Sequence, residues 1–435
     1  MPSEPAQDIP TRTRTVRRNP ATASQCLAAD ICVAGAGISG ISAALEAAKL
    51  GRRVILFDGL PALGGQAVHS IIGTFCGLFS NGPDPYQLTH GIADGILRDL
   101  GASDDLHYRR GAWTTVMYDE VALAGWIEKQ VRDSGITVIL GAVLRQVTCD
   151  GRRITEIELA TRYGDVRIAA TGFVDATGDA ALAWQAGFAC REPDDGPIYG
   201  TQMMVLENID ESQQPGRDEL SQHLLDKAAD FGLVRADGFA FVFPGRGTAL
   251  VNMTHVETPL EPVAASRNAL IGKALTGDVL TFLKTEYPKA FGNARIRAYG
   301  FPGIRQTRWI AGTHHLQVDE VRAGKKFDDA IGRTAWAIEI HDKAEGIYWE
   351  PFDADHIHYV PFGSLTPADG DNLIAAGRCI DGDVAALSSV RVMGPCIAMG
   401  AAAAHGLDLA GAGSVHQIDM AALKKRLHDN LERTD

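Results

Sequence analysis

The chain has 435 residues, enough for one large body with an inserted second domain or for about two or three domains. Its formal net charge of -13 excludes nucleic acid and anionic membrane as main partners, because both reward basic surfaces. No run of about eighteen apolar residues occurs, so no membrane span is expected.

Residues 1–27, with Arg12, Arg14, Arg17 and Arg18 among Pro, Thr and Ser, read as a flexible arm. Arg17-Arg18 is a twin-arginine pair, but Asn19 to Ala29 is too polar for the apolar region of an export signal. Cys26, Cys32, Cys76, Cys149, Cys190, Cys379 and Cys396 never fall as C-x-x-C, which points away from a zinc site or a redox dithiol and toward a reducing cytoplasm.

Ile31-Cys32-Val33-Ala34 is an apolar strand that runs into Gly35-Ala36-Gly37-Ile38-Ser39-Gly40. An Ala-rich helix follows, and then Val54-Ile55-Leu56-Phe57-Asp58, whose acid lies eighteen residues after Gly40. This is a complete dinucleotide-binding βαβ pattern. Gly35 supplies the tight turn, Gly37 admits a pyrophosphate to the backbone, and Gly40 lets helix and strand pack closely. Free N–H groups at Ile38 and Ser39 and the helix dipole meet the phosphate charge, so no basic residue is needed, and none occurs from Ala29 to Ala48. Asp58 is placed to accept hydrogen bonds from ribose hydroxyls. The loop from Gly59 through Gly64, Gly65 and Gln66 again permits close approach of backbone to ligand.

Helices are expected over 86–100 and 119–134, the second apolar along Val121, Leu123, Ala124, Ile127 and Val131. Ile136 to Leu140 reads as a parallel strand, and Val143 to Ile168 as an antiparallel meander turning at Cys149-Asp150-Gly151-Arg152. A short strand, Gly172 to Asp175, then delivers Ala176-Thr177-Gly178-Asp179, where small residues let the backbone crowd a ligand and Asp179 reaches its hydroxyls. From Arg191 to about Trp349 the texture changes to mixed helix and strand signals, read as an inserted substrate domain. No second G-x-G-x-x-G occurs, so no dedicated nicotinamide domain is expected. Asn372 to Arg378 is a strand entering a turn at Gly377, and Met393-Gly394-Pro395 opens a small-residue helix whose bare amino terminus faces a ligand.

Taken in order, these segments resemble the FAD-dependent oxidoreductases related to the fumarate reductase flavoproteins and glutathione reductase. The resemblance rests on Gly35 to Gly40 with Asp58, Leu63-Gly64-Gly65, Val174 to Asp179, Arg305-Gln306-Thr307-Arg308, Phe327 to Gly332, Ile340-His341, Tyr359-Val360-Pro361-Phe362, and Asn372 through Met393. It implies an α/β fold class: a Rossmann-like FAD-binding domain of parallel sheet plus β-meander, discontinuous over 28–190 and 350–412, an inserted α+β substrate domain over 191–349, and a C-terminal helix over 413–435. It implies one FAD held by the glycine corners and by Val143, Gly377, Arg378, Arg391 and Gly394. Trp309 stands where a further Arg is usual, Asp381-Gly382-Asp383 replaces the usual Ser, and Ala402-Ala403 replaces Ala-Gly.

The resemblance makes His341 the base, with His314, His315, His356 and His358 as competitors. Arg305 and Arg308, three residues apart, would share a helical face and fork a substrate carboxylate. His69 is a weak candidate for covalent FAD attachment. His356-x-His358 alternates on one strand face without a third ligand, so no metal is expected. The expected activity is removal of hydride from a small polar substrate, carboxylated if the arginines clamp it, with oxygen, a quinone or carrier protein, or an enoate in the reverse direction, as the acceptor. A flavin monooxygenase fed by NAD(P)H and a non-catalytic flavin-binding sensor are the alternatives. Small-residue helices and long loops permit a homodimer.

Overall fold

The computed structural model describes residues 13–17, 24–194 and 196–434. Most of the expected arm, residues 1–12 and 18–23, lies outside the described residues. The arm was expected to reach residue 27, but the first strand already begins at Gln25. It spans Gln25–Ala34 and pairs in parallel with Gly164–Asp175, so the backbone groups of Gln25 to Leu27 find ladder partners at Val166 to Ile168.

Four strands run parallel in the order Thr137–Leu140, Val54–Asp58, Gln25–Ala34, Gly164–Asp175, and the short strand Leu373–Ala375 joins the last of them. Ile31 to Ala34 and Val54 to Phe57 are buried, as parallel strands covered on both faces must be. The meander forms from Val143–Asp150, Arg153–Thr161 and Gly164–Asp175. Its third strand continues without a break into the stretch expected as a separate strand at Gly172 to Asp175. Its first half pairs antiparallel with Arg153–Thr161, and nearly its whole length pairs in parallel with Gln25–Ala34.

The helix Ile38–Lys49 lies against the helix Met393–Ala410. Small residues set their separation: a Cβ on Gly400 would sit 2.2 Å from the Ser39 carbonyl oxygen, and Ser42 Oγ donates to the Ile397 carbonyl at 2.7 Å. The helix Glu120–Asp133 is capped by Asp119, which accepts from the Val121 and Ala122 amides. It buries Leu123, Ile127 and Val131, whereas Val121, expected on the same face, is 63% exposed in the first turn. The helix expected over 86–100 spans Ile92–Ala102, because Leu88 N–H is already committed to the Leu78 carbonyl and Gly91 turns the chain at φ +81.

The inserted domain is smaller than the expected 191–349. Its own core, built around Leu206, Val251, Phe282 and Leu283, lies between a five-stranded sheet including Tyr199–Glu207, Phe239–Phe243, Thr248–Asn252 and Arg295–Gly303, and the long helix Pro262–Glu286. Trp309, Ile310, Leu316, Ile331 and Ile338 belong to the large core instead, because Trp309–Ile310 pairs with Cys190–Arg191 and Ala330–Thr334 with His358–Pro361. The single C-terminal helix expected over 413–435 is two short ones, Met420–Arg426 and His428–Glu432, which bury Leu423, Leu427 and Leu431 against the large core. Among the described residues no single helix is long and apolar enough to cross a membrane.

The helix contact is testable with a pair of substitutions. Gly400→Ala forces a methyl against the Ser39 carbonyl and is expected to lower stability by about 1–3 kcal/mol. Gly277→Ala, on the exposed face of the long helix with nothing within 4 Å of its Cβ, is expected to raise stability by about 0.4–1 kcal/mol. Urea denaturation midpoints of the two variants distinguish packing from helix propensity.

Candidate active site

Several glycine corners converge on the start of the first helix. Gly35 has φ +95, and a Cβ there would lie 2.4 Å from the Ala176 carbonyl oxygen. The same test puts a Gly40 Cβ 1.8 Å from the Gly35 oxygen, a Gly65 Cβ 2.6 Å from the Gly37 Cα, and a Gly377 Cβ 2.7 Å from Ser39 Oγ. Gly37 differs: nothing lies within 4 Å of its Cβ position, so the turn opens onto free space there. It is also the N-cap of the helix and no side chain caps it, which leaves the first N–H groups, including those of Ser39 and Gly40, aimed into that space. An anionic group is what such a cradle accommodates.

Asp58 ends the second strand with Oδ2 accepting from Ala36 N–H at 2.6 Å and Oδ1 from Leu60 N–H at 2.7 Å. Each oxygen keeps lone-pair capacity for a hydroxyl. Gly59 faces open space, and Ala142 N–H bonds the Asp58 carbonyl at 2.9 Å, so the exposed Val143 stands at the same end of the cradle. Gly64 is left-handed at φ +103 and its N–H donates to the Ala36 carbonyl, which fixes Gly65 and Gln66 beside the first turn.

In the Thr177-Gly178-Asp179 corner it is the preceding Asp175 that builds the turn. Fully buried, it accepts from Thr177 Oγ1 at 2.6 Å and from the amides of Thr177, Leu182 and Ala183. Asp179 is engaged differently from the free acceptor expected: its Oδ1 takes bonds from Thr307 Oγ1 and, at 2.8 Å, from Arg378 Nη2. A Cβ on Gly178 would lie 2.7 Å from Arg378 Nε, so this glycine makes room for the guanidinium.

The helix Met393–Ala410 begins without a side-chain cap. Gly394 N–H donates to the Cys76 carbonyl at 3.0 Å, and a Cβ on Gly394 would meet the Gly77 oxygen at 2.3 Å. Just before it, Arg391 donates to the Glu339 carbonyl oxygen at 3.3 Å while its Nε, though buried, has no partner. Burial pushes the Arg391 guanidinium down to about 10. A buried, half-satisfied guanidinium beside a bare helix start is the kind of edge that a bound flavin ring completes.

Arg305 and Arg308 do not share a helical face, because residues 304–308 are irregular backbone after the strand Arg295–Gly303. Arg305 turns inward, with Nη1 on the Tyr199 carbonyl at 2.7 Å and Nη2 on Thr201 Oγ1 at 2.8 Å. Arg308 turns away, pairs with Glu192 at 2.8 Å and stacks 4.1 Å from the Trp184 ring centre. The expected two-arginine clamp is therefore not assembled.

Around Arg305 lies a polar chain. His341, 1% exposed, has Nε2 3.0 Å from Glu339 Oε1 and Nδ1 3.0 Å from His255 Nε2. His255 Nδ1 in turn lies 2.9 Å from the Ala344 carbonyl oxygen. Both nitrogens of the expected base are thus occupied, and the member still open is Glu339, whose side chain keeps 24% exposure and whose Oε2 accepts from Trp336 Nε1 at 3.0 Å. Burial pushes the Glu339 carboxyl up, but the hydrogen bond from His341 and the charges of His341, Arg305 and Arg391 outweigh it and hold it at about 2. Burial and Arg305 push His341 down to about 3, and burial with Arg235 pushes His255 down to about 2. Burial also lowers Arg305 itself, to about 9.

Sequence reasoning singled out neither Glu339 nor His255. The available signal was alternation: Glu339 and His341 are two apart at the end of the strand Ile338–Ile340 and so point to one face.

The competing histidines have structural partners. His314 pairs with Glu320, His315 with Asp381, and His69 with the Leu63 carbonyl. His356 Nε2 lies 3.2 Å from His358 Nδ1, and His358 Nε2 meets Ser389 Oγ at 2.8 Å. The departures in the carboxyl-terminal segment are also structural. Asp381 accepts from Arg191, Gly312 N–H and His315, and Asp383 caps the helix Val384–Val390.

The fold and the cradle define a flavoprotein of the Rossmann type. The family model for FAD dependent oxidoreductases matches residues 30–427, and the chain belongs to that family. FAD is its cofactor, and the cradle, the acid at Asp58 and the open edge at Arg391 fit it. No curated protein matches the sequence. Among solved structures, a geranylgeranyl bacteriochlorophyll reductase-like protein from Thermoplasma acidophilum superimposes with TM-score 0.51 and 13% identity, covering 94% of this chain and 85% of that one. A p-nitrophenol 4-monooxygenase from Pseudomonas putida aligns with TM-score 0.45 and 9% identity, over 93% of this chain and 81% of that one.

Two outcomes follow from the geometry. Gly37→Asp puts bulk and negative charge in the open turn, so the variant is expected to purify folded but without FAD, as judged by circular dichroism and visible absorbance. His358 is fully buried, and burial, followed by His356, lowers it to about 3. The unfolded chain binds its proton below about 6.5 while the folded one does not, so stability falls as pH drops from about 6.5 toward 3, by up to about 1.4 kcal/mol per pH unit for this residue. His358→Asn is expected to flatten the slope of urea midpoint against pH in that window.

Proposed function

We propose that the protein oxidises a small polar organic substrate and that the Glu339, His341 and His255 chain takes up the proton released. FAD, when bound, supplies the two-electron acceptor. The observation that carries the reading is a count of protons. The chain has three close contacts, Glu339 to His341, His341 to His255, and His255 to the Ala344 carbonyl. A carboxylate and two neutral imidazoles provide only two protons for them. With His341 Nε2–H donating to the Glu339 carboxylate and His255 Nδ1–H to the Ala344 carbonyl, the empty contact is the one between the two imidazoles. A proton taken up through Glu339 fills it, and all three contacts are then satisfied with the unit neutral overall.

Several features support Glu339 as the point of entry. It is the partly exposed member, Trp336 Nε1–H fixes its second oxygen, and its own backbone N–H donates to Ser388 Oγ at 3.0 Å. Arg305 and Arg391 keep it ionised before the substrate arrives. Arg305 is anchored by Tyr199 and Thr201, so its charge stays where the carboxylate needs it. His341 and His255 act as positioning residues that share the incoming proton. An oxidation that releases no proton has no use for this arrangement.

An anaerobic metabolite screen scored by bleaching of the flavin identifies the substrate. With that substrate, Glu339→Gln is expected to slow bleaching by about 10²–10⁴-fold and His341→Ala by a comparable factor, with FAD content unchanged. The acid limb of the rate profile is expected well below 6.5, since the unit is held deprotonated to low pH. Unchanged bleaching in Glu339→Gln overturns the proposal, and rapid bleaching by NADPH alone redirects it to a monooxygenase.

A further inference from the structure

A cleft of about 690 Å³ opens where the hairpin of Leu106–Arg109 and Thr115–Tyr118 faces the inserted domain. Its size is that of a small-molecule site. Two arginines line it. Arg109, half-buried, has its guanidinium carbon 4.5 Å from the Phe241 ring centre, and Arg217 stands 4.5 Å from that of Phe239. Among the described residues neither has a carboxylate within ion-pair distance, unlike Arg235, which is paired with Asp237, or Arg246, which is paired with Asp105 and Asp119. The one acid lining the cleft, Glu211, is spent on backbone: it accepts from Gly245 N–H at 2.8 Å and Gly247 N–H at 2.5 Å.

Two like charges facing one cleft without a counter-ion repel each other, and burial adds to the cost: it lowers the Arg109 guanidinium, with Arg217 contributing further. Stacking on phenylalanine offsets part of this, about 0.5–1 kcal/mol at exposed sites and about 2 when desolvated. The ring faces also hold each guanidinium flat, which pre-organises its N–H fork for an oxyanion. Between the arginines the wall is apolar, formed by Phe239, Phe241, Leu220 and Val242.

A line of ring contacts runs from the cleft to the site described above. Arg217 lies 5.9 Å from the Trp113 ring, Trp113 stands 5.1 Å from Trp349, and Trp349 5.5 Å from Trp336, which donates to Glu339.

We propose that this cleft binds an organic acid, its oxyanion on Arg109 and Arg217 and its apolar body on the phenylalanine wall, and that the oxidised substrate belongs to this class. The second part rests on the function proposed above; the binding itself does not. The carboxylate clamp expected at Arg305 and Arg308 is thereby relocated to two residues from different domains.

Calorimetric titration of the FAD-loaded protein with 4-phenylbutanoate, its neutral amide and inorganic phosphate tests the inference. The acid is expected to bind at least tenfold tighter than either the amide or phosphate. Arg109→Gln and Arg217→Gln are each expected to weaken the acid tenfold or more. Arg217 is exposed, so its variant keeps the test valid even where Arg109→Gln fails to fold. Equal affinity for acid and amide, equal affinity for phosphate, no binding of the acid, or undiminished binding in Arg217→Gln overturns the inference. Glu339→Gln is expected to leave the acid's affinity unchanged. Binding retained there with bleaching also unaffected refutes the proton-uptake reading while the anion site stands.

Discussion

Main chain packed against main chain at glycine, with no room for a Cβ, is the constraint on which this molecule depends. Gly35 against Ala176, Gly40 against Gly35 and Gly65 against Gly37 are such contacts, and Gly377 against the Ser39 hydroxyl adds a fourth segment to the same helix start. Each contact lies well inside the distance any side chain tolerates, so the corners cannot drift apart without losing packing, nor accept alanine without shifting. The result is a rigid cradle lined by amides, open at Gly37. An anion is held there by dipoles worth about 0.3–1 kcal/mol each at exposed helix ends and up to about 2 when partly buried. That suits a chain whose net charge is -13, since no basic cluster has to be maintained.

Where basic side chains do appear, they are arranged in two contrasting ways. Arg235 and Arg305 are buried and bonded on named partners, and breaking such a buried arrangement costs about 3–5 kcal/mol. They act as fixed positive charges near Glu339 and the two histidines. Among the described residues Arg109 and Arg217 have no carboxylate within ion-pair distance. Uncompensated charge is a cost to the ligand-free fold that a bound anion would offset.

The βαβ unit was legible because its information is local: strand, glycine spacing, helix and acid occur within twenty-eight residues from Ile31 to Asp58. The carboxyl-terminal return of the chain was legible for the same reason, through Gly377 and Met393-Gly394-Pro395. The polar chain around His341 was not, since Tyr199, Thr201, His255, Arg305, Glu339 and Arg391 are joined only by the fold. The arginine clamp failed on a definite point: a spacing of three implies one face only in a helix, and residues 304–308 are not helical. Composition changes near Arg191, whereas packing changes near Trp309, where short strand pairs return the chain to the large core. His341 stood out in the sequence, but that Glu339 and His255 occupy both its nitrogens becomes visible only in three dimensions.

The central claim is that backbone amides at glycine corners, and not basic side chains, grip the pyrophosphate of FAD. Titration of FAD into the apo-protein at about 0.05 M and about 0.5 M NaCl tests it most directly, because added salt screens exposed charges but leaves fixed, buried dipoles nearly untouched. The account predicts one FAD per chain and a dissociation constant that moves less than about threefold between the two conditions. A dissociation constant that rises tenfold or more with salt, or no binding at either concentration, would contradict it.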